Sequence, residues 1–108
     1  MTLFLKSRND NFCATAAYEN GVMTIEPGSK INLTFAEHIR GGRTSMKYRD
    51  ERTFVDAEGN VLKSCAFNSP STAAQFVTGT SRNGYLVWKD ENKSTLRELL
   101  KEQEAESM

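Results

Sequence analysis

The stretch 67–89, FNSPSTAAQFVTGTSRNGYLVWK, constrains the fold more than any other part of the chain, because its start and stop signals stand only a few residues apart. Ser69 and Ser71 are both natural N-cap residues. Pro70 between them suits a first helical turn, where its missing amide is not needed. Ala73 and Ala74 favour helix, Phe76 and Val77 supply an apolar side, and Gly79 suits a left-handed cap, so the spacing predicts a helix over 70–78. Asn83-Gly84 then reads as a tight turn, since both residues tolerate positive φ. The aromatic and β-branched run Tyr85-Leu86-Val87-Trp88 behind it reads as a strand.

Ahead of that stretch the pattern changes from helical to alternating. Strands are expected over 2–6, 12–18 and 22–26, the last two joined by a hairpin turn at Asn20-Gly21, with Pro27-Gly28 ending the second arm. A weaker hairpin is expected from 53–56 to 61–63 around Glu58-Gly59-Asn60. Between them, Ile31, Leu33, Phe35 and Ile39 alternate until Gly41-Gly42, and 45–52 is compatible with about two turns of helix by propensity. Cys65-Ala66-Phe67 leads into the central helix, with Phe67 placed to pack on its first turn. Thr95 and Glu98 form a capping box for a last helix over about 95–103, with Leu96, Leu99 and Leu100 as its apolar stripe. Beyond it, 104–108 is expected to fray as an acidic tail. The expected architecture is one α+β domain over 1–103, with a small, mostly antiparallel sheet of four to six short strands, two C-terminal-half helices and a possible third near 45–52.

Composition narrows the function classes. With 108 residues the chain supports one modest core, and a formal net charge of zero argues against a surface that is basic all round. No apolar run approaches the ~18 residues that cross a bilayer. Cys13 and Cys65 lie far apart among apolar or small neighbours and read as buried free thiols of a reducing cytoplasm rather than a disulfide. His38 is the sole histidine and has no nucleophile or acid at motif spacing, so no catalytic group, metal or cofactor is expected. Gly41-Gly42 lacks the context of a phosphate-binding loop.

The central stretch resembles the signature of an uncharacterised bacterial domain family that commonly follows GIY-YIG nuclease domains, and it is similar to the RAMA domain of restriction enzymes and adenine methylases. The resemblance rests on Phe67, Ser69-Pro70-Ser71, Ala73-Ala74, Val77, Gly79, Asn83-Gly84, Trp88-Lys89 and Thr95-Leu96. More loosely, it extends over Phe4-Leu5-Lys6, Ala16-Ala17-Tyr18, Gly21-Val22 and Gly28-Ser29-Lys30. Tyr85 stands where a tryptophan is usual, Asn92-Lys93-Ser94 replaces a glycine-containing turn, and no nuclease domain is expected ahead of it. The resemblance implies a non-catalytic accessory module in DNA restriction, modification or repair, one that reads DNA or its modified bases.

Two surfaces could serve that role. Ser69 and Ser71 at the helix start offer amides and hydroxyls to a phosphate, while Arg82, Asn83 and Lys89 surround an aromatic run that could stack a base. Arg82 and Asn83 are the first choices for reading purine edges. The segment 30–52 carries Lys30, Arg40, Arg43, Lys47, Arg49 and Arg52 against Glu37, Asp50 and Glu51; Arg40, Arg43 and Lys47 could line a phosphate-contacting rim or simply be solvated. The other expectation is a protein-interaction module docking on a nuclease, a methylase or a second copy of itself.

Overall fold

The computed structural model describes residues 1–34 and 43–106, and it is an α+β fold. Its strands are β1 (Thr2–Lys6), β2 (Cys13–Glu19), β3 (Val22–Ile25) and β4 (Cys65–Phe67). The helices are α1 (Arg43–Asp50), α2 (Pro70–Thr78), α3 (Gly84–Val87) and α4 (Leu96–Glu106). The strands form one antiparallel sheet in the order β1-β2-β3-β4. Alternation sends Leu3, Leu5, Ala14, Ala16, Met23, Ile25, Cys65 and Phe67 to one face. There they meet Ala73, Ala74, Phe76 and Val77 of α2, and all twelve are buried. The small alanines matter here, because they let the helix lie close on the sheet while the aromatic rings fill the sides.

The hairpin forms where its turn signal stands, with Asn20 at φ 53° and Gly21 at φ 80°. β4 was expected only as a lead-in to the helix; it is the fourth strand, paired through Thr24↔Ala66. Three residues are too few to show a period, so only the pairing partner defines it. The second hairpin is reduced to a bridge between Val55 and Val61, supported by Leu62 N–H donating to Phe54 O at 2.7 Å. Asp56 closes its turn by accepting from the Asn60 amide at 2.8 Å and the Glu58 amide at 3.0 Å. Of the alternating run, Ile31 is buried and Leu33 exposed, while Phe35 and Ile39 lie outside the described residues, as do His38, Arg40, Gly41 and Gly42.

Both ends of α2 are closed. At its start Ser69 Oγ accepts from the amides of Ser71 (3.2 Å) and Thr72 (3.4 Å). At its end the last four carbonyls, which no helix can satisfy internally, all find donors. Gln75 O accepts from the amide of Gly79, the left-handed cap at φ 77°. Phe76 O accepts from Arg49 Nε (3.1 Å) and Nη2 (2.6 Å), Val77 O from the Asn32 amide (2.8 Å), and Thr78 O from Asn32 Nδ2 (3.2 Å). Arg49 thereby ties α1 to α2, and Tyr48 beside it packs edge-on against Phe54, Phe67 and Phe76.

The largest departure from expectation is 84–88. Tyr85-Leu86-Val87 forms one helical turn, α3, and not a strand; Asn83 is its N-cap at φ −80°, accepting from the Tyr85 amide at 3.1 Å. Gly84 is needed for proximity and not for positive φ, since a Cβ there would lie 2.2 Å from the carbonyl carbon of Pro70. Its amide donates to Ser71 Oγ at 2.9 Å, and the Trp88 indole N–H donates to Pro70 O at 3.0 Å. Those contacts press the turn onto the start of α2 and outweigh the strand propensity of its side chains. Leu96 caps the core beneath α4, whose capping box is present, with Glu98 N–H donating to Thr95 Oγ1 at 3.2 Å and Thr95 N–H to Glu98 Oε1 at 3.2 Å. Helical structure continues to Glu106, into the stretch expected to fray.

Candidate functional site

Of Ser69, Ser71, Arg82 and Asn83, the two serines and Asn83 meet at the N-terminal end of α2, because Gly79 turns the chain and the segment 80–83 runs back along the helix to Gly84, whereas the Arg82 side chain reaches back to Thr80, beside Thr78 at the other end. Three of the four are occupied by the fold. Ser69 caps α2, Ser71 receives the Gly84 amide, and Asn83 Oδ1 caps α3. The amides of Ser71 and Thr72, expected to be open to a phosphate, are bonded within the cap. A bidentate contact from Asn83 to adenine uses the same oxygen that holds α3, so reading a base would require that oxygen to serve the cap and the base together.

Arg82 is different. Its Nε donates to Thr80 Oγ1 at 3.0 Å, and Thr80 is itself steadied by Thr78, whose Oγ1 accepts from the Thr80 amide at 3.2 Å. The guanidinium is exposed, and no carboxylate among the described residues lies within ion-pair distance of it. Past Asn83, α3 presents Tyr85, 37% exposed, and Leu86, 44% exposed. Tyr18 stands next to Tyr85; burial, then the neighbouring phenol, raise its pKa above the usual tyrosine range. Met1, Tyr18, Gly21, Leu100 and Gln103 border a shallow hollow of about 460 Å³ alongside.

The other expected residues lie elsewhere. Lys47 is exposed on α1, which Arg49 fastens to Phe76 in the last turn of α2. Arg43 opens the same helix, and Arg40 falls outside the described residues. Lys89 is exposed at the sheet edge, paired with Phe4 through Phe4 N–H to Lys89 O at 2.7 Å. Trp88, considered as a stacking ring, is fully buried. Sequence reasoning placed Tyr85 and Leu86 in a strand; they stand on a helical turn, both partly exposed.

Chemistry-bearing groups are few. Both cysteines are free; Cys65 is buried, and burial pushes its thiol up to about 12, whereas Cys13 is exposed, against expectation. It lies on the outward side of β2, which no described helix covers. Among the described residues no group of His, Cys, Asp or Glu could hold a metal ion, and no helix is long and apolar enough to cross a membrane.

No curated protein and no solved structure matches the chain. A family model does, over residues 3–100, a span that takes in all but the first residue of β1, the strands β2 to β4, the hairpin, the locked α2–α3 corner and the start of α4. The chain therefore belongs to the family described as a domain of unknown function, DUF4357.

Proposed function

We propose that the domain is a non-catalytic, cytoplasmic accessory module that binds DNA in a restriction, modification or repair setting, where recognition of modified bases would be its finer task. One observation carries this reading: Arg82 is oriented by Thr80, has no carboxylate partner among the described residues, and stands on a segment whose next residues are clamped to α2. A guanidinium held in this way has its terminal nitrogens available to a phosphate or a guanine edge without further ordering of the chain. The resemblance of 67–89 to domains that accompany GIY-YIG nucleases, and to the RAMA domain, supports the same setting.

The test is a titration with short duplexes, unmodified and adenine- or cytosine-methylated, at low and moderate salt. Arg82→Ala should weaken binding several-fold and lower the slope of log affinity against log salt by about 0.9, the loss of one phosphate contact. Unchanged affinity and slope would remove Arg82 from the interface. A second reading is favoured by the exposure of Tyr85 and Leu86: docking on a nuclease, a methylase or a second copy. Binding of that kind should be nearly indifferent to salt and sensitive to Leu86→Ser.

A further inference from the structure

In an antiparallel pair, residues directly opposite each other project from the same face. Phe4 stands on the outward face of β1, away from α2, and is 41% exposed. Its partner Lys89 therefore projects from that face too. So does Lys6, two residues along β1, whose partner is Cys13. Cys13 in turn pairs with Lys30, through Cys13 N–H to Lys30 O at 2.9 Å and Lys30 N–H to Cys13 O at 2.8 Å. All three lysines are exposed. Between and beyond them the outward face carries small side chains, Thr15 opposite Phe4 and then Ala17, Thr24 and Ala66 in one row. Nothing taller flanks the Phe4 ring on the β2 side.

From this placement we infer that the open face of the sheet is a platform for single-stranded nucleic acid, with an unpaired base stacked on Phe4 and Lys6, Lys30 and Lys89 on the adjoining phosphates. The inference rests on the DNA reading above but uses a different surface from Arg82. An exposed aromatic ring on a sheet offers a π-face that any unstacked base can occupy, and a duplex has no unstacked base to give. Lys6 and Lys89 lie beside Phe4 along β1, and Lys30 adjoins Cys13 on the other side of β2. Carboxylates border the same face: Asp90 and Glu91 share the hollow that Phe4 lines with Met1, Thr2 and Leu99, and Glu26, whose amide bonds Thr15 O, follows β3, so the backbone would pass between them, across β1 and β2 from Lys89 to Lys30. Lys6 lies 4.0 Å from Asp10 in a loose, exposed pair that solvent screens, and Glu98 faces Lys89.

The full chain is titrated with a fluorescent twelve-residue oligothymidylate and, separately, with a duplex of the same length. The oligothymidylate should bind. Phe4→Ala should weaken it about tenfold and Phe4→Trp should restore it, the loss of one stacked base. Lys6→Gln, Lys30→Gln and Lys89→Gln should each reduce the salt slope by about 0.7, and Glu26→Gln should tighten binding. Circular dichroism on each variant keeps loss of fold apart from loss of contact. Equal affinity for Phe4→Ala and the parent would overturn the platform. Duplex binding that depends on Arg82, with the oligothymidylate ignored, would overturn the platform and leave the DNA reading standing. Failure to bind either probe at low salt would overturn both.

Discussion

Gly84 shows how much a single hydrogen atom can decide. Its Cα lies against the Pro70–Ser71 peptide so closely that a methyl group would sit 2.2 to 2.4 Å from three backbone atoms, none of which can swing aside. Gly21, in the hairpin, has φ 80° and open space around it. The two substitutions therefore probe different physics. Gly21→Ala should cost about 1 to 2 kcal/mol, the penalty of a left-handed alanine. Gly84→Ala should cost about 3 kcal/mol or more, because the turn must leave α2 and take the Trp88 and Ser71 hydrogen bonds with it. Urea unfolding of both variants checks the order, and a Gly84→Ala midpoint at or above that of Gly21→Ala would contradict it. Ser69-Pro70-Ser71, Asn83-Gly84 and Trp88 are thus parts of one joint.

At the scale of elements, α1 is held by two adjacent residues that do different work. Tyr48 enters the aromatic cluster with ring centroids 4.9 to 6.1 Å apart, and Arg49 forks onto Phe76 O. Burial lowers the Arg49 pKa to about 10, which leaves it charged at neutral pH, beside the negative end of α2. Arg49→Ala should cost about 1.5 to 3 kcal/mol, the range for hydrogen bonds to a charged group. Amides of Arg43–Asp50 should exchange much faster with solvent while those of β1 and β2 stay protected. Uniform loss of protection would mean instead that α1 is part of the global unit. Acid acts on other elements. Hydrogen bonds from Asn60 hold the Asp56 carboxylate below its usual range, and hydrogen bonds from Thr95 do the same for Glu98. A carboxylate with a depressed folded pKa stabilises fully above its unfolded pKa, roughly 4, and that contribution disappears as pH falls through the folded value. The turn at 56–60 and the start of α4 should therefore loosen first below about pH 4. Glu98→Gln should make the start of α4 insensitive over that window, as followed by the Thr95 and Glu98 amide shifts.

Over the whole molecule, the sheet has one face under α2 and one face that no described helix covers, and it brings together lysines from positions 6, 30 and 89 that no local pattern relates. The Arg40 to Lys47 rim was visible as a charge surplus; α1 carries Lys47 and is fastened to the last turn of α2, the end at which Thr78 and Thr80 hold Arg82. Wherever a stop signal acts within its own few residues, the sequence alone determined the result. The Asn20-Gly21 hairpin, the Ser69 and Gly79 caps and the Thr95–Glu98 box are of this kind, because their hydrogen bonds and φ values close locally. The tertiary structure decided everything closed by distant partners. It made 84–87 a helical turn through Pro70 and Ser71, made Cys65–Phe67 a strand through β3, and set Lys89 and Lys30 on the face of Phe4 through single bridges. Backbone groups that pair across tens of residues carry no mark in their own side chains, and only the folded chain says which partners they meet.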